Sequence, residues 1–216
     1  MRNQTAADAS ARRGTALKAL LDWGRDHRRR FPWRGEKDPF RLLVAEVLLQ
    51  RSRSTSVAPV FTALIGKWPD AASLSLASVA ELEGLLHPLG LTKRATTLIQ
   101  LASACIQLRA TLGKDFNFAS LPGVGPATAT SVAASLGFAQ VPIDSVSKRV
   151  YERALNLAGS RLDKMLADLC LTHTIPTDEL NWAALDLAAA ICLPKRPRCE
   201  ECPLARVCHY GVARAR

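Results

Sequence analysis

The sequence predicts an all-α chain, on three observations. Apolar residues recur at spacings of three and four from residue 16 onward, turn signals cut that pattern into helix-length pieces, and no run alternates as a strand would. Residues 1–13 are small and polar, end on Arg12 and Arg13, and hold too little apolar content to pack alone, which predicts a loose segment. Leu17, Leu20, Leu21 and Trp23 open the first apolar face, and 42–49, 57–64 and 79–86 continue the pattern. Phe31-Pro32-Trp33, Trp68-Pro69-Asp70, His87-Pro88-Leu89-Gly90 and Leu121-Pro122-Gly123-Val124-Gly125-Pro126 interrupt it, leaving helices of ordinary length between short connections. No repeat of fixed period and no low-complexity tract stands out, which argues against a solenoid or coiled coil. At 216 residues, two helical lobes sharing a cleft are expected rather than one bundle.

The formal net charge is +10 and the pI is near 9.8, a balance that draws a protein to a polyanion through counterion release. Nucleic acid leads as the partner, ahead of a membrane surface; the plainer reading is that the charge keeps the chain soluble. The longest apolar stretches stop well short of the roughly 20 residues that cross a bilayer, and the polar start lacks a secretory apolar core. A cytoplasmic protein is expected.

Four of the six cysteines, Cys192, Cys199, Cys202 and Cys208, form a C-x6-C-x2-C-x5-C array near the C-terminus. Disulfides are disfavoured in a chain without an export signal, and four clustered thiolates call for a cation: zinc or an iron-sulfur cluster. Zinc usually takes two tight Cys pairs, whereas this array has one, so a 4Fe-4S cluster is the first choice. Cys105 and Cys170 sit in apolar helical patterns and read as core residues.

Between two helical segments, the glycines of Leu121-Pro122-Gly123-Val124-Gly125 permit tight backbone conformations and let exposed amides approach a phosphate. The same residues can also simply turn the chain. Asp144 follows Pro142-Ile143 and precedes Ser145-Val146-Ser147, where a helix would begin. Its ordinary role there is an N-cap, and a helix N-terminus also favours the carboxylate form, a fixed anion that can stabilise a positive sugar. Glu46 lies in Leu42-Leu43-Val44-Ala45-Glu46-Val47-Leu48-Leu49, where burial would raise its pKa and suit it to protonate a leaving base. The alternative is a buried Glu paired with an Arg.

Taken together, the Leu121–Gly125 turn, Asp144 nineteen residues beyond Gly125 and the cysteine array resemble the endonuclease III and MutY superfamily of helix-hairpin-helix DNA glycosylases. Phe31-Pro32-Trp33-Arg34, Glu46-Val47-Leu48-Leu49-Gln50-Arg51 and Leu185-Asp186-Leu187 look most like MutY and the Mig-type thymine mismatch glycosylases, and the resemblance runs from about Trp23 to Tyr210. It implies a six-helix lobe over 31–137 that contains the hairpin. It also implies a second lobe, built from 14–30 and 138–216, that carries the 4Fe-4S cluster on Cys192, Cys199, Cys202 and Cys208, with DNA lying across the cleft between the lobes.

The implied activity is base excision: a nucleotide is flipped out of double-stranded DNA and the N-glycosidic bond of a mismatched or damaged base is hydrolysed, with thymine or uracil opposite guanine favoured. Asp144 and Glu46 would be catalytic. Gln50 and Arg51 would enter the duplex or meet the orphaned base, Gly123, Val124 and Gly125 would grip a phosphate, and Lys148 and Arg149 would add charge or form a solvated basic face. The bifunctional lyases of this superfamily carry a nucleophilic Lys where this chain has Ala127, which implies a monofunctional hydrolase and leaves the base pocket open in its selectivity. Mig-type enzymes have Tyr there and MutY has Ser. The runner-up is excision of adenine opposite guanine or oxidised guanine, against which stands a chain that ends soon after the cysteines. A non-catalytic DNA-structure binding protein is the rival from another class. A monomer, cytoplasmic and nucleoid-associated, is expected.

Overall fold

The structure is a computed structural model that describes residues 2–108, 115–138, 141–157, 159 and 162–214, with the side chains of 2–7 and 212–214 outside the description. Among the described residues there are eleven α-helices and no strand: α1 (Arg2–His27), α2 (Pro39–Leu49), α3 (Ser54–Lys67), α4 (Ala71–Ser75), α5 (Val79–Leu86), α6 (Ala95–Leu108), α7 (Pro126–Ser135), α8 (Ser145–Leu155), α9 (Leu162–Thr172), α10 (Thr177–Ala190) and α11 (His209–Arg214). No helix among them is long and apolar enough to cross a membrane. The chain divides into two compact units, one of Met1–Arg29 with Ala139–Arg216 and one of Arg30–Phe138.

Local chemistry sets where the helices start and stop. Asp38 caps α2 by accepting from the Phe40 amide, with Pro39 at the position where a missing N–H costs nothing. Asp70 and Ser73 close a reciprocal capping box on α4. Asn156 ends α8 in the left-handed conformation, at φ 52°.

Residues 2–13, expected to be loose, instead extend α1 back to Arg2; Met1 lies outside the described residues. Ala6, Ala7, Ala9 and Ala11 lose little entropy in a helix, and no breaker intervenes before Gly14. Gly14 is tolerated because the His173 ring fills the space beside it: a Cβ there would lie 2.2 Å from Nε2.

The Arg30–Phe138 unit packs α2 against α3, α6 and α7, and α4 and α5 against α6. Its core is aliphatic and aromatic, with Leu43, Leu48, Leu64, Leu82 and Leu98 fully buried and Trp33 set edge-on to Phe61 at 5.6 Å. Each such leucine contributes roughly 1.5–3 kcal/mol by leaving water.

The unit formed by the chain ends packs α1 against α8, α9 and α10, with α8 also against α10 and α11. Leu17, Leu20, Tyr151, Leu162 and Leu180 fill its centre. Gly24 lies so near Ala183 that a Cβ would approach the Ala183 Cβ to 2.4 Å, so only glycine lets α1 and α10 come this close. Asp186 on α10 is 2 % exposed and accepts from both the Arg29 amide (3.0 Å) and the Arg29 Nε (2.5 Å), which fixes the chain as it leaves α1.

Candidate functional site

In the Arg30–Phe138 unit the candidate residues cluster where α2 ends. Seven of its eleven residues are buried, yet Glu46 is only half-buried, and the Ser131 hydroxyl on α7 donates to its Oε1 at 2.7 Å. The sequence leads one to expect a carboxylate enclosed by apolar neighbours; α7 instead brings a hydroxyl to it. Ser131 gave no signal in the sequence beyond lying in a run of small residues.

Gln50 terminates α2, and its Nε2 donates to the Gly123 carbonyl at 2.9 Å and to the Thr128 hydroxyl at 3.2 Å. This side chain, expected to meet DNA, therefore ties α2 to the hairpin in the free protein. Arg51 follows, exposed and at φ 61°, a left-handed conformation unusual for a side chain of this size. Arg94, which the sequence reading passed over, donates from Nη1 to the Val47 carbonyl and from Nη2 to the Gln50 carbonyl (3.1 Å).

The hairpin itself is anchored by buried Leu121 and Val124 on either side of the exposed Gly123. Gly123 has φ 74°, and a Cβ there would stand 2.5 Å from Thr97 Cγ2, so glycine is required both by conformation and by space. Gly125 precedes α7 with no side-chain cap and Pro126 occupies the first helical position, which leaves the amides of the first turn available to an outside acceptor. Ala127 is exposed in that turn.

In the other unit, Asp144 caps α8. Its Oδ1 accepts from the Val146 and Ser147 amides at 2.8 and 2.7 Å, and the buried Ser147 hydroxyl receives the Asp144 amide at 3.1 Å. The carboxylate is held rigidly yet exposed, with both backbone bonds on one oxygen. Lys148, one turn on, is exposed and 3.8 Å from Glu152. Arg149 departs from its expected role as an outward charge. Helical rotation turns it toward α10, where Nε donates to the Cys192 carbonyl (3.0 Å) and Nη2 to the Ala188 carbonyl (3.4 Å).

Arg153, a further turn along, donates to the Leu193 and Pro194 carbonyls (both 2.8 Å) and to Cys192 Sγ (3.4 Å), and lies over the Tyr210 ring. Cys192 follows α10, Cys199 opens a short 3₁₀ turn, and Cys202 and Cys208 flank the buried Leu204. All four are free thiols, as are buried Cys105 and Cys170, whose thiols burial pushes up to about 11. Burial, with the other three sulfurs adding, pushes the Cys202 thiol up to about 11, and burial with Cys192 and Cys199 adding raises Cys208. Arg153 links two of the four sulfurs, since its carbonyl also accepts from Cys208 Sγ at 3.4 Å, although no group of three or more His, Cys, Asp or Glu among the described residues is arranged to hold a metal ion. Four thiols with N–H donors reaching two of the sulfurs, from Arg153 and the Gly211 amide (3.4 Å), form a donor set that suits an iron-sulfur group.

Residues 44–172 match the HhH-GPD superfamily of base excision DNA repair proteins. The chain belongs to this family. Among HhH-GPD relatives, a thymine/uracil-DNA glycosylase of Pyrobaculum aerophilum is 30% identical over 219 residues, covering 92% of this chain and 92% of that protein. An adenine DNA glycosylase of Mycolicibacterium smegmatis is 33% identical over 204 residues, covering 90% of this chain and 69% of that one. A solved thermostable thymine-DNA glycosylase superposes with a TM-score of 0.80 at 25% identity, over 94% of this chain and 98% of that one.

Proposed function

We propose that this DNA glycosylase hydrolyses the N-glycosidic bond of thymine or uracil opposite guanine in double-stranded DNA and leaves an abasic site. The observation that carries this reading is Asp144: an exposed carboxylate fixed by two amides on Oδ1, with Oδ2 available to a sugar that becomes cationic as the base departs. Glu46, steadied by the Ser131 hydroxyl, gives a proton to the departing base and then, as a carboxylate, directs water. The uncapped start of α7 with Gly123 and Gly125 takes a phosphate through backbone amides; Val124 shapes that turn, its amide donating to the Leu121 carbonyl at 3.1 Å and its side chain in the core. Gln50 and Arg51 meet the opened duplex and Lys148 adds charge. Ala127 cannot act as an amine nucleophile, so no strand cleavage starts at that position.

Excision of adenine is the second reading, favoured by the 33% identity to the Mycolicibacterium smegmatis enzyme. Single-turnover assays on T:G, U:G and A:G duplexes, read with and without alkali, separate the two. The expected result is excision from T:G and U:G with strand breaks only after alkali. Faster excision from A:G overturns the base assignment, and breaks without alkali overturn purely hydrolytic action.

Cys192, Cys199, Cys202 and Cys208 hold a 4Fe-4S cluster in this proposal. The four thiolates would hold it, and it would supply a cross-link to the loop that Arg149 and Arg153 join to α8. The purified protein is expected to be brown, with broad absorption reaching the blue. A colourless, zinc-loaded and fully active preparation overturns the assignment.

A further inference from the structure

Arg94 lies far from the carboxylates in sequence, yet its guanidinium reaches into the end of the helix that carries Glu46. Its partners are the carbonyls of Val47, in the last turn of α2, and of Gln50, the residue that ends it. A helix C-terminus leaves carbonyls unsatisfied and carries partial negative charge, so a planar cation with a fork of donors suits it well.

The bonds fall just before Arg51, at φ 61°. Holding a non-glycine residue in the left-handed region is costly, and such a conformation persists only where the surroundings over-determine it. Arg94 secures the carbonyls at 47 and 50, while the Gln50 side chain secures the same turn to the Gly123 carbonyl and Thr128. Three residues beyond Arg94, Thr97 packs where a Cβ on Gly123 would otherwise go. The short 3₁₀ turn entering α6 and the first turn of α6 therefore seat the α2 turn and the hairpin together.

Arg94 also sits beside a like charge. Burial, with the neighbouring Arg51 adding, lowers the Arg94 pKa.

We infer that Arg94 is a positioning residue for base excision: its two carbonyl bonds hold the Gln50–Arg51 turn in the conformation that opens the duplex. The inference rests on the reading of that turn as the segment that meets DNA. It makes Arg94 a determinant of nucleotide flipping, distinct from a phosphate contact that would act through affinity.

The test uses the full chain and a duplex with 2-aminopurine beside a mismatched thymine, whose fluorescence reports unstacking. Arg94→Met keeps the apolar stem and removes both bonds; Arg94→Lys restores one. For Arg94→Met the expected result is a fall of about 10- to 100-fold in single-turnover excision with a matching loss of the fluorescence rise, while affinity for undamaged duplex stays within about 3-fold. Arg94→Lys recovers part of both. Gln50→Ala and Arg51→Ala, run alongside, test the underlying reading: if neither changes the fluorescence rise, the turn is not the opening segment. If they reduce it and the Arg94 variants do not, the role of Arg94 is overturned. Equal losses of affinity and rate also overturn it, as does an excision defect that follows thermal destabilisation with unstacking intact. If Arg94→Met does not fold, Arg94→Lys with a normal unstacking rise and normal excision counts against the inference in the same way.

Discussion

Asp144→Asn slows single-turnover excision by about 10²- to 10³-fold, the scale on which a fixed charge at a developing transition state is felt. The substitution separates charge from structure. Asparagine caps helices as well as aspartate does, its side-chain oxygen can still accept from the Val146 and Ser147 amides, and the Ser147 half of the capping box is untouched. The thermal midpoint is therefore expected to move by no more than a few degrees. Affinity for undamaged duplex holds or rises slightly, because a negative charge has been removed from a protein with a formal charge of +10. Rapid-quench excision and a binding titration on the same preparation check both halves. Parallel losses of binding and rate would show a structural contribution in place of a chemical one.

Asp186→Ala destabilises the unit formed by the chain ends by about 3 kcal/mol. Asp186 is buried and takes two bonds from Arg29, one from the backbone; its removal strands an amide and opens space beside α10. The Arg29 side chain is 38 % exposed and regains water, which keeps the loss at the lower end of the range for a broken buried pair. Asp186→Asn retains the acceptor and loses about half as much. Urea unfolding measures the difference, and a loss below about 1 kcal/mol for the alanine variant would contradict the account.

The all-α class was legible because its evidence is local. Apolar spacing and Pro-Gly punctuation marked α2, α3, α5 and the hairpin, and Trp68-Pro69-Asp70 does separate α3 from α4. Asp144 could be placed as an N-cap for the same reason: the acceptor and the amides it satisfies lie within three residues. What the sequence withheld depends on tertiary neighbours. Nothing around Glu46 announces Ser131, 85 positions away; nothing in Lys148-Arg149 says that one points to water and the other to Cys192; and Arg94 looks like one more surface cation until α6 is seen against α2. The extra turns of α1 were missed on composition, since polarity was weighed above the alanines that stabilise a helix without a core.

The tight meeting of Gly24 with Ala183 has a consequence during synthesis. The six helices of Arg30–Phe138 are consecutive and can collapse as they leave the ribosome, whereas α1 emerges about 150 residues before the helix it must embrace. At translation rates of about 5–20 residues per second, Leu17, Leu20 and Leu21 wait roughly 8–30 s without their partner. Until α10 has been made, nascent chains thus expose the apolar stripe of α1.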